Sequence, residues 1–204
     1  MNAATTTKLK ATATAGAAGK AKAGRATPKS VLDFWFGELT PQQWFEKSDA
    51  TDTAIKEKFA AIHLALAREV PDIWRRDAAA TLALIIVFDQ FPRNIYRATP
   101  LAFATDGLAL REARRAVDSG LDQEVADDRR VFFYMPFEHA ENLADQNRSV
   151  TLIAALGNEV YTKYAEAHRD VIAEFGRFPH RNAIVGRTST PAEERYMERP
   201  DAGF

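Results

Sequence analysis

Two stretches far apart in the chain carry the same unusual order of residues. They are Phe88-Asp89-Gln90-Phe91-Pro92-Arg93-Asn94-Ile95 and Phe175-Gly176-Arg177-Phe178-Pro179-His180-Arg181-Asn182-Ala183-Ile184. Each places paired phenylalanines before a proline, then arginine and asparagine. The first brings Gln90, Arg93, Asn94 and the following Arg97. The second brings Arg177, His180, Arg181, Asn182 and the following Arg187. Guanidinium forks match a carboxylate or phosphate through two parallel hydrogen bonds. If the two turns meet, they form a concave, basic site that suits an anionic small molecule. Asp89 follows the apolar run Leu84 to Phe88, where a carboxylate is costly to bury unless paired. Arg93, four residues on, is its candidate partner. The plainer reading is two helix ends. Each proline would stop a helix, each arginine would bond its last carbonyls, and each asparagine would take the left-handed conformation often needed there.

A third polar cluster, Phe137-Glu138-His139-Ala140-Glu141-Asn142, follows the aromatic Phe132-Phe133-Tyr134. Read as a helix, it puts Glu138 on one face with Glu141 and Asn142, and turns His139 about 100° away. The candidate site therefore combines three stretches. His139, Glu141 and His180 would move protons, while Asp89, Gln90, Arg93, Asn94, Glu138, Arg177, Arg181 and Asn182 would contact the ligand. His139, His168 and His180 with a glutamate could gather a metal, but no ligand spacing of recognised type specifies one, so none is assigned. No cofactor is identified. The chain has no cysteine, Gly-x-Gly-x-x-Gly, Gly-Lys-Ser/Thr phosphate loop or Gly-x-Ser-x-Gly elbow.

Helices must position these groups. Ser30 is expected to cap a short helix through Phe36, ended by Gly37, and Thr40-Pro41 to open another into Trp44-Phe45. Asp49 or Thr51 opens a longer one, whose Ile55, Phe59, Ile62 and Leu66 form one face. Asp77 caps a helix from Ala78 to about Phe91 that is apolar on every side, hence central. A buried strand is the alternative for its apolar run. Pro92 interrupts that helix. Thr99-Pro100 starts one lasting to Ser119-Gly120, and an apolar segment from Arg129 to Tyr134 precedes Pro136. Phe137 to Asn142, Val150 to Phe175 with a break near Gly157, and Pro191 to Arg199 opened by Thr190 complete the set. No window alternates with period two, so the expected class is all-α, a tetratricopeptide-like bundle or short stack of antiparallel helices.

The first 29 residues hold Lys8, Lys10, Lys20, Lys22, Arg25 and Lys29 and no acid. With those six of the 27 basic residues set aside, the remainder has 21 against 28 acidic residues, a net of −7. Residues 1–29 lack apolar bulk and are expected to be a disordered tail. Weak electrostatic contact with nucleic acid or acidic partners is its sharper reading. A transit peptide would carry more arginine. Residues 30–204 are expected to form one helical domain. The run Ala78 to Phe88 is too short to cross a bilayer unaided. No membrane role and a cytoplasmic location are expected.

Phe34-Trp35-Phe36, Trp44-Phe45, Phe88 to Ile95, Tyr134-Met135-Pro136-Phe137-Glu138-His139-Ala140-Glu141 and Phe175 to Ile184 resemble the hallmark segments of the bacterial domain-of-unknown-function 924 family. The resemblance runs from about Val31 to Met197. It implies an all-α fold within the tetratricopeptide-like superfamily and brings no activity or catalytic residue. In the family's third motif a methionine, histidine, serine and glutamate stand where this chain has Glu138, His139, Ala140 and Glu141. A role for that serine hydroxyl is absent here. Two function classes then compete: a small-molecule site between the turns, possible as an enzyme, and a scaffold that binds a peptide or protein in a groove. Fold alone does not choose between them.

Overall fold

Side-chain caps start most of the helices in the computed structural model, which describes Met1, residues 26–200 and residues 202–203. Thr27 caps α1 (Pro28–Asp33), which runs into a π turn over Phe34–Glu38. Ser48 caps α2 (Asp49–Arg68). Asp77 accepts from the Ala80 amide at 2.7 Å and starts α3 (Ala78–Ile95). Then follow α4 (Asp106–Asp118), α5 (Asp127–Glu138) and α6 (Leu143–Ala154). After α7 (Glu159–Phe175) come the short α8 (Asn182–Val185) and α9 (Pro191–Met197). These nine helices, with short 3₁₀ turns, leave no strand among the described residues. None of the described helices is long and apolar enough to cross a membrane. The expected disordered tail lies outside the described residues, except for residues 26–29, where α1 begins slightly ahead of Ser30.

Consecutive helices from α2 to α7 pack on one another, and α3 also touches α1 and α5. As its all-round apolarity requires, α3 is the centre. Leu82 through Phe88, with Phe91, are essentially sealed from solvent. Its buried neighbours include Trp35, which stacks on Trp44 at 6.4 Å and meets Phe132 and Phe91 edge to face at 5.7 Å. Each buried aromatic removes roughly 150–250 Å² from water, which makes this cluster a principal source of stability. A smaller second core of Val171, Ile172, Phe178 and Tyr196 holds the C-terminal turns.

Several boundaries differ from expectation for identifiable reasons. Pro92 does not end α3. A proline cannot donate to the carbonyl four residues back, and here the Thr105 hydroxyl donates to that Phe88 carbonyl at 2.7 Å instead. Likewise α5 continues through Pro136 to Glu138. The segment Phe137–Asn142 is then not a helix of its own. Gln146 Nε2 donates to the Glu138 and Ala140 carbonyls at 2.6 and 2.8 Å, while Asn142 caps α6. Glu138 therefore does not share a helix face with Glu141 and Asn142. Pro179 is not a helix stop either, because α7 has already ended at the left-handed Gly176. Asn94 lies within α3 and Asn182 has right-handed φ, so neither asparagine supplies a left-handed turn.

Candidate functional site

The two similar turns do meet, and the residue between them is Asp106 at the start of α4. Arg93 forks onto it, Nη1 to Oδ1 at 2.9 Å and Nη2 to Oδ2 at 3.1 Å. Arg181 Nη1 reaches Oδ2 at 3.5 Å. Both guanidiniums also lie over the Phe103 ring, Arg93 at 5.8 Å and Arg181 at 4.6 Å. Arg93 has further partners, since it donates to the Asp89 carbonyl and lies 3.4 Å from Asp89 Oδ1. The pairing foreseen between Asp89 and Arg93 is thus present, inside a continuous helix.

Asp89 is almost wholly buried. Burial works to raise its pKa, but the interaction with His139, then the Arg93 charge and the hydrogen bonds from His139 and Gln90, outweigh that, and the carboxyl is held well below its usual range. One oxygen accepts from Gln90 Nε2 at 2.6 Å and the other faces His139 Nδ1 at 2.7 Å. An ionised carboxylate can only accept, so His139 donates from Nδ1 and Nε2 carries the lone pair. His139 is the residue that caps the end of α5. Burial, and next Arg93, lower its pKa against the opposing pull of Asp89, so the ring is neutral near pH 7.

His139, Arg181 and Glu141 line one cleft of about 380 Å³, together with Asp106, Asn142 and Arg187. Its apolar wall includes Phe103, Leu110 and Val185. Among the described residues, no serine, threonine, tyrosine or lysine lines it. Glu141 is clamped by Arg187, through Nη1 to Oε2 at 2.6 Å and Nη2 to Oε1 at 2.9 Å. Glu141 also accepts from the Phe178 amide at 2.9 Å, and Arg187 donates to the Phe178 carbonyl at 3.1 Å. Burial would raise the Glu141 pKa, but the Arg187 and Phe178 hydrogen bonds prevail and lower it. This strap ties the second turn to the connection between α5 and α6.

Arg181 is different from its neighbours. Only 9% of its side chain is exposed. Its guanidinium lies over the rings of Phe103 and Phe178, at 4.6 and 4.4 Å. Its Nη1 makes the long contact with Asp106, and its Nε makes no hydrogen bond among the described residues. Burial, and then the charge of Arg93, push its pKa down to about 10.

Other candidates lie elsewhere. Glu138 is buried behind the cleft against His168, Oε1 to Nδ1 at 3.0 Å. Gln90 also packs on Met135 Sδ at 3.5 Å. Asn94 joins Arg97 on Asp52 of α2. Arg177 forks onto Glu193 beside a second hollow, at 2.6 and 2.8 Å. Asn182 is buried and donates to Ser189 Oγ at 3.1 Å. His180 stacks near Phe178 at 5.4 Å, and burial, followed by the Arg181 charge, pushes its pKa down to about 4. Among the described residues, no group of three or more His, Cys, Asp or Glu is arranged to hold a metal ion. Sequence reasoning missed Phe103, Asp106 and Asp145. They were hidden in a stretch read as one helix, or in a cap region with no distinctive spacing. The acid directly after Thr105 was the one available hint, since acids favour helix starts.

Two comparisons with known proteins agree. Residues 31–201 match the family of bacterial proteins of unknown function DUF924. A solved structure of a protein of unknown function from Agrobacterium tumefaciens is similar, with a TM-score of 0.80 and 44% identity, over 84% of this chain and 96% of that one. No curated protein matches significantly. The resemblance read from the aromatic and proline motifs is thereby borne out, and the chain belongs to the DUF924 family.

Proposed function

We propose that this protein binds an anionic small molecule in the cleft beside His139 and performs general acid–base chemistry on it. The observation that carries this reading is the pairing of His139 with Asp89. The buried carboxylate fixes the Nδ1–H tautomer and leaves the lone pair on Nε2, in a ring that lines the cleft and is neutral at pH 7. Arg181, on the same cleft, supplies donors for the ligand's anionic group. Since no hydroxyl or amine nucleophile among the described residues lines the cleft, the chemistry that fits is proton abstraction or activation of water. Arg93 and Glu141 are positioning residues: Arg93 holds Asp89 and Asp106, and Glu141 holds the second turn.

Melting temperatures with phosphate, sulfate and a panel of small carboxylates, at matched ionic strength, test this reading. At least one anion should stabilise the wild type, and Arg181→Gln should remove that stabilisation. Stabilisation that persists undiminished in Arg181→Gln would place binding elsewhere and refute the site.

A further inference from the structure

The four arginines at and behind the cleft are not equivalent. Arg187 is committed to Glu141 by both ends of its fork. Arg114 gives Nη2 to both oxygens of Asp145, at 2.5 and 2.7 Å. Arg93 is committed to Asp106 and Asp89. Arg181 alone has no carboxylate of its own, because its 3.5 Å contact falls on an oxygen already in Arg93's fork. Its planar head lies over the rings of both Phe103 and Phe178. Guanidinium N–H groups lie in the plane, so a ligand meets Arg181 at its edge.

From this we infer that the cleft takes a small monocarboxylate, gripped at its carboxylate by the edge of Arg181, with its apolar body along Leu110, Val185 and Phe103. The inference rests on the acid–base reading above and names its substrate class. A carboxylate is flat and singly charged, which suits a single guanidinium. A phosphate dianion or dicarboxylate brings a second negative charge. Asp106, Glu141 and Asp145 line the same cleft, and Arg93 and Arg187 already hold the first two in forks. Like charges brought together in a partly desolvated site count against such ligands. The apolar wall gives no hydrogen bond to a polar ligand body, so a short hydrocarbon chain fits it better.

The test uses the full-length protein and four probes at matched ionic strength: butanoate, its neutral analogue butanamide, inorganic phosphate and succinate. Butanoate should raise the melting temperature in a concentration-dependent way, and the other three should not. Arg181→Gln should abolish the butanoate shift, and Arg181→Lys, which keeps the charge but loses the fork, should weaken binding about tenfold or more. His139→Gln should still bind butanoate, because the acid–base group is separate from the anchor. Phosphate acting through Arg181 while butanoate does nothing would overturn the monocarboxylate class and leave the anion cleft standing. A butanoate shift undiminished in both Arg181 variants would overturn both. No butanoate shift at concentrations on the order of 100 mM, where even weak millimolar binding registers, would also overturn the inference.

Discussion

The turns around Pro92 and Pro179 use the same residues to opposite ends. In the first, the chain stays helical, the Phe88 carbonyl that Pro92 cannot bond is taken by Thr105, and Arg93 is saturated by Asp89 and Asp106. In the second, the helix has ended at Gly176, the chain passes through a 3₁₀ turn, and Arg181 is left with one long contact to an acid that Arg93 already holds. The lesson is that a repeated motif does not fix a repeated role. What decides is how many acceptors the surrounding fold brings within reach. The first turn spends its arginine on structure, and the second holds one in reserve.

The largest expected effect comes from treating the two arginines alike. Removing one partner of a buried ion pair strands the other charge, at about 3–5 kcal/mol. Arg93→Ala leaves the buried Asp89 with Gln90 and His139 but no guanidinium, and Asp106 with the long Arg181 contact, and should destabilise toward that amount in denaturant unfolding. Arg181→Gln relieves repulsion from Arg93 and loses a long contact with Asp106 and the ring contacts with Phe103 and Phe178, so its effect should fall within about 1 kcal/mol of zero, in either direction. Equal losses in the two variants would break the comparison.

Next in size is Thr105→Val. Thr105 Oγ1 donates to the Phe88 carbonyl and is 3.1 Å from His63 Nε2, so the change leaves two buried polar groups unpaired. A loss of about 1–3 kcal/mol follows, with α3 weakened at Pro92. No loss would mean that the helix tolerates Pro92 without this hydroxyl.

These two results bear on how much the sequence could reveal. Helix starts were legible because caps are local: Thr40, Asp77 and Thr190 each bond an amide three residues on. The prolines misled because their cost is local while its compensation is not, as Thr105 is seventeen residues from Phe88. The Asp89–Arg93 pair and the approach of the two turns were within reach of sequence reasoning. Asp106 and Phe103, which join the turns, were not, since only tertiary packing brings them there. His139 was read on a helix face, whereas Gln146 bonding ends α5 and leaves the ring on the cleft.

A gentler distinction between the turns is their response to acid. Burial and Arg181 hold His180, in the second turn, at about 4, and burial also lowers His63 and His139. The unfolded chain, with histidines near 6.5, then binds more protons than the folded one between those values. Stability should therefore be intact above about pH 6.5 and fall as pH drops toward 4. His180→Gln should flatten part of that slope, as read from melting temperatures against pH. A pH-independent melting temperature across that window would contradict the assignment.

The central claim is that Asp89 presents His139 to the cleft as a base. Long-range proton–nitrogen NMR correlation of the His139 ring at pH 7 tests it directly. The account predicts a neutral ring protonated at Nδ1, with the nitrogen shift of Nε2 marking it as unprotonated. A ring protonated at Nε2, alone or together with Nδ1, would contradict it.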